Sequence, residues 1–121
     1  MQIQEQHQEG VLILRVGAQL DSTTGPALGE KLQEVIDAGH THLVLDLEEV
    51  PYISSAGLRV LSTALKTVRS REAGGDLCLT RLSKTVAHAF RISGFNQIFN
   101  IYDTVPEAVA VLVASREFDA G

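Results

Sequence analysis

Tryptophan is absent from this 121-residue chain, aromatics make up only 5%, and there is one cysteine and one methionine. No stretch is apolar for the length that a membrane-spanning helix requires, so no membrane is expected as a partner. The opening residues, Met1-Gln2-Ile3-Gln4-Glu5-Gln6-His7-Gln8-Glu9, lack the basic start and apolar middle of a secretory signal. Cys78, in the run Leu77-Cys78-Leu79, has no second cysteine to pair with; it reads as a small buried residue in a reduced, cytoplasmic setting. Clusters of Lys or Arg are missing too. The net charge is −5, and direct nucleic-acid binding, which needs a basic face, is not expected.

What is present is enough apolar residue for one core, and the length suits a single domain spanning 1–121. The strongest local signal is Tyr52-Ile53-Ser54-Ser55-Ala56-Gly57-Leu58-Arg59-Val60-Leu61. Before it, His42–Leu47 reads as a buried strand. After it, Leu58, Leu61, Leu65 and Val68 recur at helical spacing, out to about Ser70. Two hydroxyls, an alanine and a glycine thus fall where a loop becomes a helix, and unpaired N–H groups and the helix dipole make such a place electropositive. An anion, a phosphorylated serine or a docking partner suits it.

The remaining chain supports a sheet with crossover helices. Ile3–His7 and Val11–Val16, separated by Gly10, predict an antiparallel edge hairpin. Ser22, Thr23 and Thr24 offer caps for a first helix, with Pro26 near its start, an apolar stripe of Leu28, Leu32, Val35 and Ile36, and Gly39 as its stop. Glu72-Ala73-Gly74-Gly75 breaks the second helix, and Asp76–Thr80 forms a further strand. Ser83 caps a third helix that Gly94 ends, and Ile98–Tyr102 reads as a last strand. Thr104 and Glu107 form a capping box around Pro106 for a final helix, with a frayed tail over 115–121. The order β-β-α-β-α-β-α-β-α gives an α/β domain with a mostly parallel five-stranded sheet. Loops at the carboxyl ends of parallel strands carry function in such sheets, which places Asp21 and Ser54–Gly57 on one edge.

Catalysis fits poorly. Ser55-Ala56-Gly57 supplies half of a Gly-x-Ser-x-Gly elbow, and Asp76 and His88 follow in the order of a triad. However, Ile53 stands where the first glycine belongs, no glycine-rich loop offers an oxyanion hole, and Asp76 lies at the other edge of its strand. His7, His40, His42 and His88 are too scattered for a zinc site, so no metal is expected. Neither a P-loop nor Gly-x-Gly-x-x-Gly occurs, and no cofactor is expected. Asp46-Leu47-Glu48-Glu49 only loosely echoes the acidic cluster of a phosphorelay receiver. On the second helix, Arg59, Ser62, Thr63 and Lys66 share one polar side, read equally well as a solvated face or as part of a docking surface.

Taken together, Leu20-Asp21, the central strand Leu43–Leu47, the loop Val50–Leu58 and Gly94-Phe95 with Ile98 and Phe99 resemble the STAS domain. That fold occurs in bacterial anti-sigma-factor antagonists and in the cytoplasmic tails of sulfate transporters. The resemblance implies a non-enzymatic switch that binds an anti-sigma factor, often a GHKL-type serine kinase, and so releases a sigma factor. It further implies that the kinase phosphorylates the signature loop, that a PP2C-type phosphatase reverses this, and that the protein is a monomer or weak dimer. The usual signature is Asp-Ser-Ser-Gly, with the second serine as phosphoacceptor. Aligned on Gly57, this chain has Ser54, Ser55 and Ala56 at the first three places. The resemblance therefore makes Ser55, and after it Ser54, the phosphorylation candidate, with Asp21, Ser54, Ser55, Ala56, Gly57 and Arg59 as partner-binding residues. The alternative that the missing serine favours is a STAS scaffold or small-ligand sensor in another bacterial pathway, working without phosphorylation.

Overall fold

The computed structural model describes residues 1–71 and 74–120, with side chains as far as Arg116. Part of the predicted helix break, Glu72-Ala73, lies outside the described residues, as does Gly121. Strands β1 (Ile3–Gln8), β2 (Val11–Val16), β3 (His42–Asp46), β4 (Asp76–Thr80) and β5 (Asn100–Tyr102) form one sheet in chain order. β1 and β2 make the antiparallel hairpin that Gly10, at φ +83°, allows; the other neighbours are parallel, so the sheet is mixed.

Because strand order equals chain order, successive right-handed crossovers put their helices on the same face. Helices α1 (Gly25–Asp37), α2 (Ser55–Arg69) and α3 (Lys84–Ser93) accordingly pack against Leu12, Leu14, Leu43, Leu45, Leu77 and Leu79. Only α4 (Val105–Ala120), which follows the last strand, is free to cover the opposite face, where Val11, Ile13, Val44 and Cys78 meet Ala108, Val109 and Leu112. β3 is buried along its whole length, which accounts for the apolar run Leu43–Leu45 at its centre. Cys78 is fully buried, and desolvation with the nearby Asp76 charge pushes its thiol up to about 12.

The ends of the elements depart from the sequence expectations in three places. None of Ser22, Thr23 or Thr24 caps α1 through its side chain. Thr24 occupies the N-cap position, but its Oγ1 donates to the Gln19 carbonyl at 2.6 Å, and the Asp21 carboxylate takes up the Thr23 and Thr24 N–H groups. The last strand starts at Asn100 rather than Ile98, because Phe95–Gln97 form a 3-10 turn that buries Phe99 edge-on against Phe90, ring centroids 5.6 Å apart. The backbone of α4 stays helical past Ser115, where the sequence suggests fraying, and Arg116 reaches back to donate to the Glu9 carbonyl at 2.8 Å. Its amino end has the expected Thr104 cap, with Oγ1 accepting from the Glu107 N–H at 3.2 Å.

Candidate functional site at the amino end of helix α2

The loop after β3 is fastened to the segment after β2 by backbone bonds before any side chain contributes. Leu20 and Ile53 form a parallel bridge; the Leu20 N–H donates to the Tyr52 carbonyl at 3.1 Å, and the Ser54 N–H donates to the Leu20 carbonyl at 2.8 Å. This brings Asp21 beside the signature loop, as the shared sheet edge suggested. The Tyr52 hydroxyl then donates to Asp21 Oδ2 at 3.1 Å, while Oδ1 accepts the N–H groups of Thr23 and Thr24 at 2.9 and 3.0 Å. Hydrogen bonds from the Thr24 and Thr23 backbone, then from Tyr52, hold the Asp21 carboxyl below its usual range. The Tyr52 phenol is correspondingly raised, chiefly by its bond to Asp21.

The two serines have separate duties. Ser54 is the N-cap of α2, half-buried, with Oγ accepting the Gly57 N–H at 3.4 Å. Ser55 is exposed, and its hydroxyl has no hydrogen-bond partner among the described residues. Gly57 is buried. A Cβ there would lie 2.8 Å from both the Leu20 carbonyl oxygen and Ile53 Cγ1, so the glycine lets the helix end sit directly on the 20–53 bridge. Its part in a docking surface is to fix where Ser55 and Ala56 stand.

One turn along, Arg59 is exposed, and it makes no ion pair with any described residue. A surface cavity of about 400 Å³ runs beside it, walled by Ser55, Ser62 and Lys66 from α2, by Ser93 at the end of α3 and by Phe95 just after it. A smaller one, about 210 Å³, lies on the other side between α1 and α2, over Leu32, Ile36 and Val60. Sequence reading placed the α2 residues of this face but missed Ser93, Phe95 and the Tyr52–Asp21 bond, since no periodicity connects segments so far apart in the chain.

The triad order does not become a triad. Asp76 is bonded to Arg69 at the far end of α2, about 20 Å from Ser55 at 1.5 Å rise per residue. There it also accepts from Asn100 Nδ2 at 2.8 Å, and His88 lies exposed on α3. Among the described residues, no three His, Cys, Asp or Glu side chains are grouped so as to hold a metal ion. His7 and His40 form a ring pair 5.3 Å apart instead. Asp46 is taken up by structure: at 1% exposure it accepts from Arg81 Nε and Arg15 Nε, both at 3.1 Å, and from the Glu48 N–H at 3.2 Å. Burial pushes its carboxyl up, but the Arg81, Glu48 and Arg15 hydrogen bonds and the Arg81 charge together outweigh that and leave it lowered.

Residues 2–108 match the family described as the STAS domain. The chain belongs to the STAS family. Among STAS relatives, BtrV of Bordetella bronchiseptica, provisionally described as an anti-sigma factor antagonist, is 36% identical over 84% of this chain and 86% of its own. The anti-sigma F factor antagonist of Paenibacillus polymyxa is 29% identical over 93% of this chain and 95% of its own. The STAS fold is shared with the anti-sigma factor antagonist SpoIIAA in its unphosphorylated form, at a TM-score of 0.74 and 20% identity over 89% of this chain and 93% of that one. Among the described residues no helix is long and apolar enough to cross a membrane.

Proposed function

We propose that this STAS protein is an anti-sigma factor antagonist: it binds an anti-sigma factor through the amino end of α2 and thereby releases a sigma factor. The observation that carries the reading is the division of labour between the serines. Ser54 is spent on capping, while Ser55 stands exposed and unbonded at an electropositive helix end beside Asp21 and an open cavity. Asp21, Ser54, Ser55, Ala56 and Arg59 form the contact, positioned by Gly57. The anti-sigma factor acts as a GHKL-type serine kinase, with a PP2C-type phosphatase as its opponent, and binding rather than catalysis is the chain's own contribution. The kinase moves the γ-phosphoryl group of ATP to Ser55 Oγ; ADP leaves and the hydroxyl proton goes to solvent. The fold tolerates the phosphate at a helix amino end, whereas a partner packed there meets bulk and added negative charge.

Mass spectrometry after incubation with the kinase and ATP tests the switch, and phosphate on Ser55 is expected. Phosphate on neither serine removes the switch and leaves the second reading, a scaffold or ligand-sensing STAS module, which Ala56 at the usual acceptor position favours. Beside it, a pull-down compares wild type with Ser55→Asp. Loss of the anti-sigma factor from the variant alone is expected; equal retention by both contradicts a charge-gated contact.

A further inference from the structure

The charge of α2's outer face differs from that of the whole chain. Acidic residues outnumber basic ones 15 to 10 in the sequence. Yet among the described residues no carboxylate lines either cavity flanking Arg59, and Arg59 and Lys66, seven residues apart, have no ion-pair partner. On the α1 side of Arg59 the cavity is lined mostly by Leu32, Ile36, Val60 and Ala64, whereas the cavity that Arg59 shares with Lys66 sets Leu58 and Phe95 among the hydroxyls of Ser55, Ser62, Thr63 and Ser93. The surface thus offers two positive charges along a mixed groove, with an apolar trough on the other side of Arg59, and the complement is an amphipathic segment with acidic residues on one side of its apolar stripe.

We infer that this face receives an acidic, amphipathic segment of the anti-sigma factor, and that Arg59 is the contact for which the segment's carboxylate and a phosphate on Ser55 compete. The inference rests on the functional reading above and specifies its chemistry. Ser55 and Arg59 stand four residues apart on α2 and border the same cavity, the spacing at which helix side chains meet. An acid four residues before a base is also the favourable orientation on a helix. Phosphoserine at position 55 therefore pairs with the Arg59 guanidinium within the same chain, two N–H groups to two phosphate oxygens. Phosphorylation then acts twice: it removes the cation that the partner uses, and it places negative charge against the partner's carboxylates.

The test uses the full chain and the purified anti-sigma factor, with affinity measured by calorimetry at two salt concentrations. Arg59→Glu and Lys66→Glu are expected to weaken binding at least tenfold each, Arg59→Lys by less than threefold, and added salt to narrow these differences. Because both side chains are exposed, unchanged melting temperatures separate loss of contact from loss of fold. The competition is read from a cycle: Ser55→Asp is expected to weaken wild type tenfold or more, and to weaken the Arg59→Gln variant by a factor at least threefold smaller, the remainder being direct repulsion of the partner's carboxylates. An anti-sigma factor that binds wild type and both charge-reversed variants equally well overturns the acidic-segment inference while leaving the functional reading standing. A Ser55→Asp penalty of the same size in both backgrounds overturns the competition for Arg59. Failure of wild type itself to bind overturns the functional reading and this inference with it.

Discussion

Replacing Gly57 by alanine tests whether the amino end of α2 is held where the packing implies. The added Cβ would stand 2.8 Å from the Leu20 carbonyl oxygen, 2.8 Å from Ile53 Cγ1 and 2.9 Å from Leu20 Cβ. Ile53 can turn a little, but the Leu20 carbonyl cannot, because it accepts the Ser54 N–H at 2.8 Å and sits within the bridge to Ile53. Overpacking of this kind costs about 1–3 kcal/mol. Alanine's better helix propensity offsets at most about 1 kcal/mol, less in a first turn. The expected net loss is therefore about 1–2 kcal/mol, a fall in melting temperature of about 4–8 °C for a domain of this size. Gly29 in α1 is the control, since its added Cβ would meet Val60 Cγ1 at an ordinary 3.6 Å. Gly29→Ala should stabilise by about 0.5–1 kcal/mol, through backbone entropy alone. Urea unfolding followed by circular dichroism measures both variants. A Gly57→Ala protein as stable as wild type, or two variants that shift in the same direction, refutes the packing argument.

Two further outcomes follow from the carboxylates. Asp46→Asn removes the negative charge and one of the two acceptor oxygens that Arg15 and Arg81 share; because both arginines reach solvent, the cost should be about 2–3 kcal/mol, below the range for a fully buried pair. The Asp46 carboxyl is lowered in the folded state, so its contribution is complete above the unfolded-chain value near about 3.9 and disappears as pH falls through the folded value. Chemical unfolding at stepped pH should show the variant losing less stability than wild type on acidification, and parallel losses would contradict this. At the site, Asp21→Asn removes the acceptor of the Tyr52 hydroxyl, and the phenol's spectroscopic titration should move down towards its ordinary value. An unmoved titration would mean that the Tyr52–Asp21 bond is not formed in solution.

Much of this molecule could be read from its residues because the strongest signals are local. The β-rich run Val11–Val16, the nearly all-apolar stretch of β3 and the helical spacing of Leu58, Leu61, Leu65 and Val68 each report burial of one segment, and each element stands where the pattern put it. The ends were less legible because tertiary partners set them. Phe99 gives up strand pairing to pack on Phe90, and the α1 hydroxyls give way to Asp21, whose carboxylate is also claimed by Tyr52. Likewise, Ser54-Ser55 announced a helix start, but which hydroxyl is occupied depends on the Gly57 N–H coming back to Ser54. The cavity wall contributed by Ser93 and Phe95 arises only when α3 packs beside α2, and nothing within either segment signals it. Composition hid the charge of the site as well, since a net charge of −5 conceals a cavity whose charged lining among the described residues is Arg59 and Lys66.

The central claim is that a partner lands on the amino end of α2, and backbone amide shifts of the labelled chain on addition of the purified anti-sigma factor test it most directly. The account expects the largest changes at Asp21, Ser55–Arg59, Lys66 and Phe95, and their disappearance with Ser55→Asp. Changes confined to the β1 edge or to α4, with Ser55 and Arg59 unmoved, would contradict it.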